Sequence, residues 1–293
     1  MKKVTKAVIL AGGYGTRMLP AARAVPKEMF PVVDIPVIHF LVEEAAASGI
    51  TDILIITNRG KGAMEDWFDY SPEYEARLAG KGDAVEQMRR MCEIANISFM
   101  RQKAMRGTGH AVLIAKSFVG SDDFVMIYGD DMIVSQTPAC LQLINARARG
   151  EGCMAAAVQD VGRNRIHMYG SLKVSPAGTA PNEYAVHDMI EKPAPGTEPS
   201  TFAILGRLLL TPDIFPYLED QAPGQGGEIQ LTDAMRRFTL ANPGKVVAVD
   251  FEGERFDIGS KFGYMKACVK RAASHPEIAE EFKSFIRAFA ATL

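Results

Sequence analysis

The chain has 293 residues, of which 47% are hydrophobic and 23% charged, a composition ordinary for a globular protein and unlike that of a disordered or fibrous one. Its formal net charge of -2 gives no sign of the basic surface that nonspecific binding to nucleic acid requires. The first apolar run, residues 7–11, is too short for a signal sequence or a membrane span, so we expect neither nucleic acid nor a membrane as a partner.

Short apolar runs alternate with helical patterns along the first half of the chain. Strands are predicted at residues 6–10, 52–57, 97–100 and 123–128, and helices at residues 37–48 and 109–116. This alternation is typical of an α/β protein with a Rossmann-like, mostly parallel mixed sheet that is flanked by helices on both faces. Because ligands collect at the carboxyl ends of such strands, each strand-to-loop junction is a candidate site.

The second half of the chain contains shorter strand patterns broken by Gly and Pro, at residues 154–159, 170–174, 184–191 and 202–210. We interpret them as an extension of the same sheet, within one α/β domain at residues 1–265. Residues 276–291 have an amphipathic helical pattern, so the C-terminal segment, residues 266–293, is expected to pack on the body or on a neighbouring subunit.

Four cysteines are widely separated and show neither the spacing of a zinc site nor that of a disulfide framework: Cys92, Cys140, Cys153 and Cys268. They are expected to be free thiols. Together with the missing export signal, this favours a cytoplasmic location.

A glycine-rich loop follows the first predicted strand, and its backbone N–H groups could surround an anion. The candidate residues are Leu10, Ala11, Gly12, Gly13, Gly15 and Thr16. A bare turn without a ligand is the alternative. A dinucleotide-binding fingerprint is disfavoured because Met18 stands where its third glycine would be, and Thr16-Arg17 after Gly15 does not fit a P-loop.

Two cations follow the loop, Arg17 directly and Lys27 ten residues later. A triphosphate that is attacked at its α-phosphorus develops negative charge on the α-oxygens and on the departing pyrophosphate, so fixed Arg and Lys side chains suit this chemistry. Their spacing predicts that both converge on one anion.

Asp130 and Asp131 come directly after an apolar strand, where paired carboxylates are costly unless they are solvated, hydrogen-bonded or bound to a cation. One of them, with a second carboxylate from elsewhere, would meet the preference of Mg²⁺ for one or two protein carboxylates. An Asx-rich turn without a metal is the alternative.

The sequence LAGGYGTRMLP followed by PKEMFPVVDIPVI resembles the signature of the sugar-nucleotide pyrophosphorylases, and PKEM resembles the bacterial UTP–glucose-1-phosphate uridylyltransferases. Further motifs follow in the same order over nearly the whole chain: RQKAMRGTGHAV, YGDDMI, YGSLKV, IEKP, GRLLLTPDIF, GEIQLTDA and FDIGSKFGYMKA. The resemblance implies the nucleotide-diphospho-sugar transferase fold and a symmetric homo-oligomer, a dimer or a tetramer.

The resemblance also implies roles for individual residues. Asp130 and Asp257 would bind Mg²⁺, and Gln102 and Gly107 would read the uracil edge. Glu191 would accept hydrogen bonds from sugar hydroxyls, Lys192 would hold the sugar phosphate, and two glycines would let the backbone approach the hexose: Gly170 and Gly206. Taken without the resemblance, Glu191 and Lys192 could equally be a surface ion pair.

His110 lies next to Gly109 in one of these motifs, and we assign it a structural role. A sugar phosphate is already ionised near neutral pH and needs no general base. A direct role for either His110 or Asp131 stays open at this point.

Departures from the family pattern lie in loops that are expected to contact the nucleotide or the sugar: Ala22 and Arg23 in place of Thr-Lys, Thr201 near a usual Asn, and Gly227 in place of Asp. They leave the sugar less certain than the reaction. The sequence therefore predicts transfer of UMP from UTP to glucose 1-phosphate by Mg²⁺-dependent in-line displacement. The alternatives are a related transferase that uses dTTP or another sugar 1-phosphate, and a catalytically silent paralogue that binds a nucleotide-sugar.

Overall fold

The computed structural model describes residues 2–150 and 154–293, so Cys153 lies outside the described residues. In chain order the strands are β1 (Lys6–Leu10), β2 (Pro31–Val32), β3 (Ile35–Pro36), β4 (Asp52–Thr57), β5 (Asn96–Arg101), β6 (Phe124–Tyr128), β7 (Asp131–Val134), β8 (Met154–Asp160), β9 (Gly170–Pro176), β10 (Glu183–Glu191), β11 (Phe202–Leu210), β12 (Val246–Asp250) and β13 (Glu254–Asp257). Several match the predicted runs residue for residue because both faces of these strands are buried.

The α-helices, likewise in chain order, are α1 (Val37–Ala47), α2 (Ala63–Phe68), α3 (Pro72–Leu78), α4 (Ala84–Cys92), α5 (Thr108–Ile114), α6 (Lys116–Val119), α7 (Ala139–Arg149), α8 (Arg163–Ile166), α9 (Phe215–Glu219), α10 (Leu231–Ala241), α11 (Lys261–Ala272) and α12 (Ala279–Ala290). The helix predicted at residues 109–116 is thus two short helices, α5 and α6. In the described ranges, no helix combines the length and the apolar character needed to cross a membrane.

Within the described residues, nine strands form one mixed sheet in the order β5-β4-β1-β6-β11-β8-β12-β10-β9. β5, β4, β1 and β6 are parallel, as are β8 and β12, and the remaining neighbours in this order are antiparallel. The predicted α/β class with a mixed sheet is confirmed, and the parallel pairing is concentrated in the first half of the chain. β9 and β10 are antiparallel because residues 177–182 are too few for the crossover that a parallel pair needs.

Two hydrophobic cores cover the two faces of the sheet. Along β1, Ala7 and Ile9 lie in one core and Val8 lies in the other. Because both faces of β1 are buried, its sequence is an unbroken apolar run. Helices α1 and α7 cover the first face, and α5, α9 and α10 cover the second.

The C-terminal helices differ in how they contact the body. α11 packs against β13 and β2, and the predicted domain boundary at residue 265 falls inside it. α12 contributes no buried residue, and its Phe285 and Phe289 stack on each other with ring centroids 6.0 Å apart. Among the described cysteines, Cys92, Cys140 and Cys268 are free.

Candidate active site

The four parallel strands β5, β4, β1 and β6 end at the same edge of the sheet. The glycine-rich loop follows β1, Gln102 follows β5 with its N–H bonded to the Thr57 carbonyl at 2.8 Å, and Asp130 follows β6. Parallel register therefore brings together loops that are more than a hundred residues apart in the sequence.

The glycine-rich loop is held from beneath by side chains that follow β4. Lys61 donates through Nζ to the carbonyl oxygen of Ala11, and Asn58 donates through Nδ2 to the carbonyl oxygen of Gly12. Nζ of Lys61 also lies 2.9 and 2.8 Å from the two carboxylate oxygens of Glu28. Asn58, Lys61 and Glu28 are buried, so this support is shielded from solvent.

Burial raises the pKa of Glu28 and lowers that of Lys61, so desolvation outweighs their mutual attraction. A buried ion pair is not in itself evidence that the fold is stabilised. The evident consequence of this pair is the fixed position of the glycine-rich loop. Sequence reasoning missed Asn58 and Lys61, although both follow a predicted strand, where candidate sites were expected.

Lys27 begins a single 3₁₀ turn, Lys27–Met29, and its Nζ forms an ion pair with Oδ2 of Asp130. Burial alone would lower the pKa of Lys27, but the carboxylates of Asp130 and Glu28 outweigh that effect and raise it. Burial would likewise raise the pKa of Asp130, yet Lys27 and Arg17 hold it below its usual range. Lys27 is therefore a cation and Asp130 a carboxylate at neutral pH.

Asp130 and Asp257 converge on one point beside Gly259. A Cβ built on Gly259 would lie 2.5 Å from Oδ2 of Asp130, 2.6 Å from Nη2 of Arg17 and 3.1 Å from Oδ1 of Asp257. Arg17 spans the two carboxylates, with 3.1 Å to Asp257 and 3.7 Å to Asp130. Only glycine leaves space here.

This geometry fits a divalent cation. Among the described residues, no group of three His, Cys, Asp or Glu side chains could hold a metal ion, so a cation at this point would rely on two carboxylates. Mg²⁺ accepts this arrangement when phosphate oxygens and water complete its shell. The two carboxylate oxygens close to one point are the observation that supports the fit.

Asp131 has different surroundings from its neighbour Asp130. It forms an ion pair with Arg255, and its backbone carbonyl accepts a hydrogen bond of 2.9 Å from Arg207, which in turn bonds to Glu44. Burial raises the pKa of Asp131, although Arg255 opposes this. Asp131, the first residue of β7, thus supports the turn that carries Asp130.

A cavity of about 240 Å³, the nucleotide-side cavity, opens above the glycine-rich loop. Its lining includes seven predicted site residues: Leu10, Gly12, Gly13, Lys27, Gln102, Gly107 and Asp130. Gly107 has φ 99°, and a Cβ there would lie 2.7 Å from the carbonyl oxygen of Ile229, so glycine is required.

A second cavity of about 260 Å³, the sugar-side cavity, adjoins the first through Thr108, Tyr128 and Glu228, which line both. Four predicted residues lie in its wall: Arg17, Gly170, Glu191 and Lys192. Two cavities with a shared wall could hold two ligands side by side. Sequence reasoning did not identify the three residues of the shared wall.

Glu191 ends β10 at the sugar-side cavity, and Lys192 follows it. Oε2 of Glu191 accepts a hydrogen bond of 2.7 Å from Thr232, and its Oε1 lies 3.6 Å from Nζ of Lys192. The Lys192 side chain is 48% exposed, so its ammonium group is accessible to a ligand. Gly170 pairs with Glu191 across the sheet, which places both at the same wall.

The remaining predicted residues lie beside the cavities. Ala11 is buried under the loop, Gly15 packs against the stem of Lys27, and Thr16 begins a 3₁₀ turn. Gly206 has φ 67°, and a Cβ built there would lie 3.2 Å from Cβ of Asp131. Asp257 contacts the site through its ion pair with Arg17.

A larger cavity of about 580 Å³ lies elsewhere, between α1, α11 and the strand pair β7 and β13. It contains none of the predicted site residues, and most of its surface is apolar. We place the chemistry at the two smaller cavities because the converging charges are there.

The family model described as nucleotidyl transferase matches residues 6–274 of the chain. The chain belongs to the nucleotidyl transferase family. This confirms the family that was predicted from its motifs.

Similar proteins of this family are UTP–glucose-1-phosphate uridylyltransferases. The Staphylococcus epidermidis protein is 44% identical over 289 residues, which cover 98% of this chain and 99% of the relative. A Staphylococcus saprophyticus protein is 45% identical and covers 98% of each.

Solved structures of this family have the same fold. UDP-glucose pyrophosphorylase in complex with UDP-glucose matches with a TM-score of 0.84 and 35% identity, covering 93% of this chain and 100% of that one. The UTP-bound enzyme from Acinetobacter baumannii matches with a TM-score of 0.86 and 33% identity, covering 97% and 99%.

Proposed function

We propose that the chain transfers UMP from UTP to glucose 1-phosphate and releases pyrophosphate, with UDP-glucose as the product. The observation that carries this proposal is the pair of adjoining cavities with the charged groups of Arg17, Lys27 and Asp130 close to their junction. Relatives that cover the whole chain are named for this reaction, and related structures hold UTP and UDP-glucose.

In this reaction a phosphate oxygen of glucose 1-phosphate forms a bond to the α-phosphorus of UTP, while the bond from that phosphorus to the pyrophosphate oxygen breaks. We assign UTP to the nucleotide-side cavity, where Lys27 stabilises the charge that develops on the α-phosphate. Arg17 lies in the wall of the sugar-side cavity, so it can contact the incoming phosphate as well as the triphosphate.

Lys192 binds the phosphate of glucose 1-phosphate, and Glu191, which Thr232 holds in place, accepts hydrogen bonds from the sugar hydroxyls. No side chain needs to remove a proton, because the attacking phosphate is already ionised. Catalysis then consists of positioning and charge stabilisation.

Asp130 and Asp257 would hold Mg²⁺ with phosphate oxygens and water. When bound, the ion neutralises phosphate charge and orients the triphosphate. The chain's own residues prepare this position: Gly259 admits the two carboxylates, and Lys27 keeps Asp130 ionised.

A substrate panel tests the proposed function. Pyrophosphate release is measured for UTP, dTTP, CTP, ATP and GTP, each with glucose 1-phosphate, galactose 1-phosphate and mannose 1-phosphate. We expect the largest kcat/KM for UTP with glucose 1-phosphate. A larger value for another pair would favour a related transferase, and no release with any pair would favour a silent nucleotide-sugar-binding protein.

We also propose that the chain acts as a homodimer or homotetramer in the cytoplasm. Free thiols at Cys92, Cys140 and Cys268 suit a reducing compartment. Exposed aromatic side chains on α11 and α12 suit an interface between subunits.

A further inference from the structure

We propose that His110 is a positioning residue that fixes the orientation of the Gln102 side-chain amide and thereby excludes cytosine from the nucleotide-side cavity. The proposal rests on the proposed function, in that this cavity is assigned to the base of the nucleotide. It gives a specific role to a histidine for which the transfer reaction has no acid–base use.

The Gln102 side chain is buried, and both N–H groups of its amide have partners within the chain. The residue is 4% exposed, and Nε2 lies 3.1 Å from the carbonyl oxygen of Gly107 and 2.9 Å from Nδ1 of His110. A backbone carbonyl can only accept hydrogen bonds, so the NH₂ group and not the oxygen must face Gly107. This contact therefore distinguishes the NH₂ group of the amide from its oxygen.

The amide oxygen of Gln102, unlike its NH₂ group, lacks a hydrogen-bond partner in the described residues. Within the described part of the chain no group donates a hydrogen bond to Oε1 of Gln102, and Oε1 lies 3.1 Å from the position that a Cβ would take on Gly12. Both residues line the nucleotide-side cavity. An acceptor without a partner in the lining of a cavity is suited to a ligand that donates a hydrogen bond.

His110 lies on α5, one turn from Gly107, and must accept from Gln102 through Nδ1. This requires a neutral imidazole that carries its proton on Nε2. Burial, together with the positive charge of Arg106, lowers the pKa of His110, which keeps the ring neutral near neutral pH. The two acceptors, Gly107 and His110, then occupy both N–H groups of the amide.

Pyrimidines differ in what they present to this oxygen. Uracil and thymine carry an N3–H that can donate to Oε1, whereas cytosine has a lone pair at N3, which would face the oxygen lone pairs directly. Cytosine would bind well only if the amide rotated by half a turn, and rotation would break the bonds to Gly107 and His110. Hydrogen bonding of this kind discriminates strongly between ligands.

Two variants at position 110 separate the orienting role from simple packing. His110→Leu keeps an apolar side chain of moderate size but removes the acceptor. His110→Asn is the conservative rescue, because its Oδ1 can occupy the position of Nδ1 and accept from Gln102. His187→Leu is the matched control, since His187 is exposed and contacts Ser175, away from both cavities.

Values of kcat/KM are measured for UTP, CTP and dTTP with saturating glucose 1-phosphate. In His110→Leu we expect the preference for UTP over CTP to fall about tenfold, as for the loss of one orienting hydrogen bond, mainly through KM. The ratio of dTTP to UTP should stay unchanged because both bases carry N3–H. His110→Asn should recover most of the preference.

The proposal is wrong if His110→Leu keeps the preference for UTP over CTP, or if all three nucleotides lose activity in equal proportion. An Asn variant that behaves like Leu would also contradict it. NMR of the wild-type ring gives a second measurement that needs no variant: the proton is expected on Nε2, and a proton on Nδ1 would overturn the assignment. If wild-type protein releases no pyrophosphate from UTP, the proposed function fails, while the NMR result still stands as a separate test.

Discussion

Asp130 and Asp131 are neighbours of the same residue type, yet their environments assign them different roles. Asp130 meets Lys27 and Arg17, whereas Asp131 meets Arg255. Asp130 lies in the turn after β6, whereas Asp131 begins β7, so their side chains have different surroundings. We infer that Asp130 alone contributes directly to the reaction.

We expect Asp130→Ala to lower kcat by on the order of a hundredfold or more at saturating Mg²⁺, because a charge-stabilising group is lost. Pyrophosphate release under steady-state conditions measures this effect. Asp66→Ala, which changes an exposed carboxylate on α2, serves as the control and should retain full activity. Near-normal turnover of Asp130→Ala would show that the assigned metal position is wrong.

Lys192→Ala should raise KM for glucose 1-phosphate about tenfold to a hundredfold, as expected for the loss of a hydrogen bond to a charged group. KM for UTP should change little, since Lys192 lines the sugar-side cavity and not the nucleotide-side cavity. Initial rates with each substrate varied in turn measure both constants. Equal changes in the two constants would contradict the separation of the two cavities.

Residue-level prediction from sequence was most direct where a local pattern existed. Arg17 and Lys27 follow the glycine loop closely, and the structure brings both to Asp130. Asp257, 240 positions after Arg17, came only from the resemblance, since no spacing rule connects residues so far apart. Lys61 carried a usable clue, its place after a buried strand, but a lone lysine there has no distinctive pattern.

At the scale of elements, the loop after β4 and the 3₁₀ turn at Lys27–Met29 are joined by the buried pair of Lys61 and Glu28. We expect Lys61→Met to lower the free energy of unfolding by about 3–5 kcal/mol, because it leaves the Glu28 carboxylate buried without a partner. Urea unfolding followed by circular dichroism measures this change.

The double variant Lys61→Met with Glu28→Gln should recover a large part of that loss, since no unpaired charge remains. The exposed pair of Arg90 and Glu86 provides the control: Arg90→Met should change stability by less than about 1 kcal/mol. If Lys61→Met and the double variant are equally unstable, the unpaired carboxylate is not the cause.

Strands that are buried on both faces were predicted best, and β1, β4 and β11 have the predicted bounds. In the second half of the chain, the sequence did not predict which strands pair with each other in the sheet. β8 and β12 pair in parallel although about ninety residues separate them, and no local pattern specifies such a partner. The exposed helices α3 and α4 bury no residue, and the sequence analysis did not predict them.

For the whole molecule, the C-terminal helices carry an exposed apolar surface. Phe262 on α11 is 72% exposed, and Phe285 and Phe289 on α12 are 60% and 49% exposed. Since α12 buries none of its residues in this chain, contact with a neighbouring subunit is the more consistent of the two predicted arrangements.

We expect Phe285→Glu combined with Phe289→Glu to shift the protein toward the monomer, because two charges would have to be buried in the interface. Multi-angle light scattering measures the mass. Tyr74→Glu is the control, as it alters an aromatic side chain on α3 that is 62% exposed. A wild-type protein that is monomeric at all concentrations would refute the predicted oligomer.

The contacts beneath the glycine-rich loop determine what its upper side offers. In a planar trans peptide, the C=O and the N–H point in opposite directions. Since Lys61 and Asn58 hold the carbonyls of Ala11 and Gly12 from below, the amide hydrogens of Gly12 and Gly13 turn upward. We infer that three separate stretches of the chain together form a preorganised oxyanion site, whose N–H donors are already aligned before a triphosphate binds.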